Sequence, residues 1–237
     1  MMAQHFLKDK IRPFIKRILQ PVLSRFQNWY LSKPRWFKYQ GVQVKILPSV
    51  FHPGYLLSTK ILLKYLLQFD LLDKKVLELG AGSGMISLFA ARNGAVVTAS
   101  DINPLAIESI QTSLEKNKLN GSLLLSDLFQ NIPIQIFDFV LINPPYYPKT
   151  PQNFQEMAFF CGANFEYFEK LFQQMGDYMN EHSKVLMILS EDCDTDKITA
   201  IASINHFELN VVHKTKALGE LNFIFEIRRS YHIREME

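Results

Sequence analysis

From residue 75 onward, short apolar runs alternate with amphipathic stretches, and few folds satisfy that alternation. The runs at 75–79, 96–100, 122–126, 137–142 and 184–189 read as strands, and the stretches at 84–93, 104–117, 164–180 and 195–204 read as helices. Phe139-Val140-Leu141-Ile142 is apolar without a break, so both of its faces are to be buried. Strands buried on both sides and separated by helices form a parallel sheet. Two further strands, near 207–213 and 221–228, are joined by Lys214 to Glu220, with Gly219 in the connection. They read as a closing antiparallel hairpin. The predicted class is α/β: a seven-stranded sheet, mostly parallel, ending in that hairpin.

The 237 residues suit one domain, or one domain with an arm. At 48% hydrophobic and 21% charged, the chain has material for a core and is not a disordered protein. The two cysteines, Cys161 and Cys193, lie far apart with no metal-ligand spacing around them. No disulfide framework and no metal site is expected, and a reducing compartment suits the chain. Its apolar runs are broken by charge well short of the ~18–20 residues of a membrane span. The N-terminus lacks the uninterrupted apolar region of a secretory signal. The expected location is cytoplasmic.

The net charge of +3 hides an asymmetry. Residues 1–38 hold nine basic side chains (Lys8, Lys10, Arg12, Lys16, Arg17, Arg25, Lys33, Arg35 and Lys38) against Asp9, a net +8, so the remainder carries −5. Ile11, Phe14, Ile15, Ile18, Leu19, Val22, Leu23 and Phe26 recur at steps of three and four, predicting an amphipathic helix that Pro21 kinks or ends. The expected division is a basic helical arm at 1–45 and a larger domain at 46–237. Three roles fit the arm: a helix docked on the body, a grip on RNA phosphates through residues 8–38, or a helix on an anionic membrane surface. Within residues 40–53, Val42, Val44 and Ile46 alternate as in a short strand or hairpin.

Chemistry concentrates at strand ends. Gly80, Gly82 and Gly84 follow the first sheet strand, where open parallel sheets bind ligands and where glycine lets backbone approach them closely. Their Gly-x-Gly-x-Gly spacing is not the dinucleotide Gly-x-Gly-x-x-Gly. Glu78, two residues before Gly80, is a candidate partner for an ammonium group, or a strand-end carboxylate on solvent. Asp101 ends the second strand 21 positions after Gly80, the spacing of an acid on ribose hydroxyls. Ile102 is placed to pack on a purine face. Asn103-Pro104 supplies a helix cap with proline at the first helical position. Asp127 is either an acceptor for a purine amino group or a plain turn aspartate.

Asn143-Pro144-Pro145-Tyr146 follows the fourth strand. The prolines hold an extended turn and offer carbonyls without donors. The Asn143 oxygen and the Pro144 carbonyl can both accept from one NH2 group, and Tyr146 can stack on a flat amide or base. The segment from Tyr147 to Ala163, with Phe154, Phe159 and Phe160, has the length of a lid or binding loop and is expected to order on substrate. His52, before Pro53-Gly54, is expected in a turn or gate.

Residues 50–190 resemble the class I S-adenosylmethionine (SAM) dependent methyltransferases with a Rossmann-like sheet. Within them the resemblance is to the small-domain group, which includes HemK-type glutamine methyltransferases and enzymes that methylate exocyclic amines of nucleobases. It rests on Glu78 to Gly84, Asp101, Ser126-Asp127 and Asn143-Pro144-Pro145-Tyr146. The resemblance implies SAM as cofactor, held by Glu78, Gly80, Ala81, Gly82, Gly84, Asp101, Ile102, Ser126 and Asp127 with Asn143 and Thr59. It implies a reacting nitrogen held at Asn143, Pro144, Pro145 and Tyr146. Val50 to Pro53 with Ser58-Thr59 looks like the family's loop over the methionine end of SAM. Glu156 to Gly162 is similar to the acidic-Ala…Gly pattern of HemK proteins, although Ala163-Asn164-Phe165 replaces their glycine-rich continuation and the arm is shorter than their N-terminal domain. The implied substrate is a protein glutamine amide or an exocyclic nucleobase amine. The alternatives are a SAM- or nucleic-acid-binding module without turnover and a nicotinamide-dependent oxidoreductase.

Overall fold

The computed structural model describes residues 33–48, 50, 57–217 and 219–230. The predicted amphipathic helix of the arm, the basic residues from Lys8 to Arg25, and His52 lie outside them. The elements are β1 (Arg35–Tyr39), β2 (Val42–Ile46), α1 (Leu57–Leu66), β3 (Lys75–Leu79), α2 (Met85–Arg92), β4 (Val96–Asp101), α3 (Pro104–Asn117), β5 (Ser122–Leu125) and β6 (Phe139–Ile142). They continue with α4 (Phe154–Met157), α5 (Glu166–Met175), β7 (Lys184–Ser190), α6 (Thr195–Ile204), β8 (Phe207–Ala217) and β9 (Glu220–Arg229).

The main sheet has seven strands in the order β5-β4-β3-β6-β7-β9-β8. The five from β3 to β7 run parallel; β9 lies antiparallel to β7, and β8 antiparallel to β9. This is the predicted α/β class. The order reverses at β3, with β4 on one side and β6 on the other, so a crevice opens beyond their carboxyl ends.

Alternate residues of each central strand feed opposite cores, as a period of two requires. Val76, Leu141, Leu186 and Ile188 pack with α1, α2 and α3. Leu77, Leu79, Val140, Ile142, Val185, Met187 and Leu189 pack with α5 and α6. Asn103 caps α3 as predicted, its Oδ1 accepting from Leu105 N at 3.0 Å with Pro104 in the first turn.

Several bounds differ from expectation. Strand β6 starts at Phe139 rather than 137, and α5 begins only at Glu166, after Phe165 takes a left-handed φ of 68°. The C-terminal strands reach Ala217 and Glu220, because β8 pairs with β9 along its length despite a bulge at Val211–His213. Ser58 and Thr59 lie in the first described turn of α1.

β1 and β2 form a separate antiparallel hairpin. Val42, Val44 and Ile46 are buried in the core with α1, α2 and α3, so β2 crosses residue 45 as part of the body's packing. A polar ridge on α3 completes the attachment. Asn117 accepts from Gln43 N at 2.9 Å and donates to Gln43 O at 2.6 Å; Ser113 Oγ accepts from Lys45 N at 2.8 Å; Ser109 donates to Lys45 O. The three are spaced by four residues, one face of a helix, and they satisfy the edge that β2 turns toward α3.

Candidate functional site

The turn after β3 is shaped by three left-handed glycines, Gly80 (φ 67°), Gly82 (φ 52°) and Gly84 (φ 70°). It is clipped to β4 by Ala81 N donating to Ser100 O at 2.9 Å and Gly82 N donating to Asp101 Oδ2 at 2.7 Å. The glycines have different reasons. A Cβ on Gly80 would meet nothing within 4 Å, whereas one on Gly84 would stand 2.6 Å from Ile110 Cγ1. Gly80 leaves open space for a ligand, and Gly84 lets α2 and α3 approach.

Beyond the turn lies a cavity of about 330 Å3, the size of a small-molecule site. Of the residues expected to bind a cofactor, Glu78, Gly80, Ala81, Gly82, Asp101, Ile102, Ser126, Asp127, Asn143 and Thr59 all line it. Gly84 does not; its place is the packing against Ile110.

Four carboxylates line this cavity, Glu78, Asp101, Asp127 and Glu166, and the three at the ends of β3, β4 and β5 are each held differently. Glu78 is buried, and its Oε2 accepts from Ser87 N at 2.7 Å and from the Ser87 hydroxyl. Its Oε1 carries no hydrogen bond among the described residues. Burial outweighs the Ser87 bonds and pushes the carboxyl up to about 8. Asp101 accepts from Gly82 N and, through Oδ1, from Asn103 N at 2.8 Å; burial raises its pKa against those bonds. Asp127 is paired with Lys170 of α5. The Ser126 hydroxyl is occupied within its own loop, donating to Leu128 O at 2.8 Å and accepting from Asn131 N at 2.9 Å.

At the end of β6, Asn143 Nδ2 donates to Thr59 Oγ1 at 3.3 Å. Thr59 thus acts first on Asn143. Asn143 and Pro145 line the cavity and also a narrow adjoining cleft of about 20 Å3, which Pro144, Tyr146, Ser58, Tyr147 and Phe159 complete. Burial raises the pKa of the Tyr146 hydroxyl, which lies near Ser190 and Tyr147. Its ring lies 4.7 Å from that of Tyr147, tilted by 53°.

The loop after Tyr146 folds back over the site. Tyr146 N and Tyr147 N donate to Phe159 O at 3.2 and 3.0 Å, Cys161 N to Tyr147 O at 3.0 Å, and Gly162 N to Lys149 O at 3.1 Å. Pro151, Phe154, Met157 and Phe160 of this lid line the cavity. Tyr167 and Lys170 also line it and were not expected. Their three-residue spacing on one helix was visible, but which side of α5 meets the crevice was not.

The donor chemistry matches SAM. Its ammonium, its ribose diol and its purine amine are three donor groups, and the cavity offers the strand-end carboxylates Glu78, Asp101 and Asp127 beside an open glycine turn. Among the described residues no group of three His, Cys, Asp or Glu is placed to hold a metal, and no helix is long and apolar enough to cross a membrane.

Residues 41–182 match the family model described as methyltransferase small domain. A putative protein N5-glutamine methyltransferase of Methanocaldococcus jannaschii is 32% identical over 166 residues, covering 68% of this chain and 81% of that protein. Ribosomal RNA small subunit methyltransferase C of Actinobacillus pleuropneumoniae is 37% identical over 121 residues; the match spans 49% of this chain and only 36% of the relative. The solved T. thermophilus 16S rRNA N2 G1207 methyltransferase, in complex with AdoMet and guanosine, shares the fold with a TM-score of 0.58 at 21% identity, over 83% of this chain and 50% of that one. Sheet order, glycine turn and family match agree: the chain belongs to the methyltransferase small domain family, and it is a SAM-dependent methyltransferase.

Proposed function

We propose that the protein methylates the NH2 group of a planar acceptor, and that this acceptor is a glutamine amide of a protein. One observation carries the reading: the amide of Asn143 is tied through Nδ2 to Thr59, at the rim shared by the cavity and the narrow cleft. With its donor end engaged, Asn143 is held to offer Oδ1 as an acceptor. In this reading Asn143 Oδ1 takes one hydrogen of the substrate nitrogen, the Pro144 carbonyl takes the other, and the Tyr146 ring flanks the flat group. Glu78 receives the ammonium group of the cofactor, Asp101 the ribose hydroxyls and Asp127 the purine amine; Gly80, Ala81 and Gly82 supply close-lying backbone, and Ile102 an apolar wall.

SAM, when bound, supplies an electrophilic methyl on a sulfonium. An amide nitrogen is a weak nucleophile because its lone pair is delocalised into the carbonyl. Two acceptors on its hydrogens enrich that nitrogen and fix its angle of attack. Orientation of this kind is worth roughly 7–11 kcal/mol in the most favourable intramolecular cases. Once methylated, the substrate nitrogen would lose one proton to solvent, so Asn143 and the Pro144 carbonyl need only orient it and no general base is required of the chain. Phe154, Met157 and Phe160 of the loop give the cavity an apolar wall.

The glutamine reading is supported by the relative that matches over 81% of its own length. A second reading, an exocyclic nucleobase amine, is favoured by the basic residues from Lys8 to Lys38, which suit RNA phosphates. Incubation of the enzyme, a cell extract and methyl-labelled SAM separates the two. Label that survives RNase and is lost to protease supports the glutamine; label lost to RNase overturns it in favour of the base. Both readings expect a cytoplasmic enzyme.

A further inference from the structure

Helix α5 enters the site abruptly. Gly162 (φ 91°) and Phe165 (φ 68°) turn the chain, and Tyr167 N donates to Cys161 O at 3.0 Å, which fixes the first turn against the lid. Phe168, Leu171, Phe172 and Met175 then face the core, while Tyr167 and Lys170, three residues apart, look onto the cavity.

Lys170 Nζ is bonded to Asp127 Oδ2, and Asp127 Oδ1 has no hydrogen bond among the described residues. The two side chains are 37% and 42% exposed, so the pair contributes little to folding stability. Its effect is on the cavity wall: a carboxylate on an open turn is stopped from rotating, with one oxygen engaged and the other left over. The Tyr167 hydroxyl has no hydrogen bond among the described residues either, and its charged neighbours are Asp101 and Asp127.

We infer that Lys170 is a positioning residue that makes Asp127 a selective acceptor for the purine 6-amino group, and that Tyr167 forms the opposing hydroxyl-bearing wall of the same nucleoside subsite. This rests on the reading that the cavity holds SAM. A 6-oxo purine turns a carbonyl toward Asp127, where acceptor meets acceptor, and is rejected for that reason.

Calorimetry with S-adenosylhomocysteine and its inosine counterpart tests this. The wild type is expected to prefer the adenine form. Lys170→Met is expected to weaken adenine binding roughly tenfold and to narrow the adenine-over-inosine preference, while Lys170→Arg restores both. Tyr167→Phe is expected to weaken both ligands by the same few-fold factor and leave their ratio alone. Unliganded melting temperatures confirm that each variant is folded. An unchanged preference in Lys170→Met, with the wild type binding normally, overturns the inference. No heat from the wild type with either ligand overturns the cofactor reading itself, a different failure.

Discussion

The side-chain amide of Asn143 donates to the hydroxyl of Thr59 at 3.3 Å, although 84 positions separate them. The contact joins the end of β6 to the first turn of α1. It engages the donor end of the Asn143 amide and leaves Oδ1 free of that contact.

Thr59→Val removes the acceptor while keeping shape. The expected result is a kcat lower by roughly 10- to 100-fold, with the affinity for S-adenosylhomocysteine nearly unchanged, and Thr59→Ser restoring most of the rate. Asn143→Ala is expected to abolish transfer and leave that affinity within a few fold. Steady-state kinetics beside calorimetry make the comparison, and full turnover in Asn143→Ala contradicts the assignment of the acceptor site.

Glu78 makes the free protein sensitive to pH. Its carboxyl is raised by burial to about 8, from an ordinary value of 4.5. The folded state therefore holds more protons than the unfolded one between those values, and stability from this group is present at low pH and lost as pH rises toward 8. Glu78→Gln is expected to flatten that part of the melting-temperature profile. A ligand ammonium at Oε1 favours the ionised form, so saturation with S-adenosylhomocysteine should also flatten it, and binding should release protons in this window. Melting curves and calorimetry in buffers of different ionisation heat read both effects.

Gly80 and Gly84 share a left-handed backbone and differ in surroundings. Gly84→Ala adds collision with Ile110 to backbone strain and is expected to cost about 2–4 kcal/mol of stability. Gly80→Ala meets open space, so about 1–2 kcal/mol of backbone strain is expected. Its methyl intrudes on the cavity, however, and cofactor affinity should fall more than the melting temperature does. Chemical denaturation and calorimetry on the two variants separate the roles.

The ridge on α3 is structural. Asn117→Ala strips partners from both Gln43 N and Gln43 O and is expected to cost roughly 1–3 kcal/mol. Ser113→Ala removes the acceptor of Lys45 N and falls within the same range. Both variants should keep cofactor affinity under conditions where they remain folded, which denaturation and calorimetry on the same samples will show.

Much of this was legible before any coordinates. Unbroken apolar strands demanded a sheet covered on both faces, and Asn103-Pro104 marked a helix start that the structure keeps. The glycine turn, Asp101, Asp127 and the Asn143–Tyr146 stretch come together because parallel strands carry their successor loops to one edge. What a linear reading misjudged was local in chain and distant in space. Gly84 looked like its neighbours until Ile110 was seen beside it. Thr59 lines the cavity as expected, but its bond to Asn143 could not be read along the chain. The fourfold spacing of Ser109, Ser113 and Asn117 had no meaning without β2 alongside.

Periodicity and strand-end chemistry, which depend on neighbours along the chain, belong to the sequence alone: the sheet, its helices and the ligand-binding edge. The pairing of Lys170 with Asp127, the burial that raises Glu78, and the orientation of the Asn143 amide belong to the tertiary structure. Each depends on the distance and dielectric between groups from separate elements, and those quantities exist only once the chain has packed.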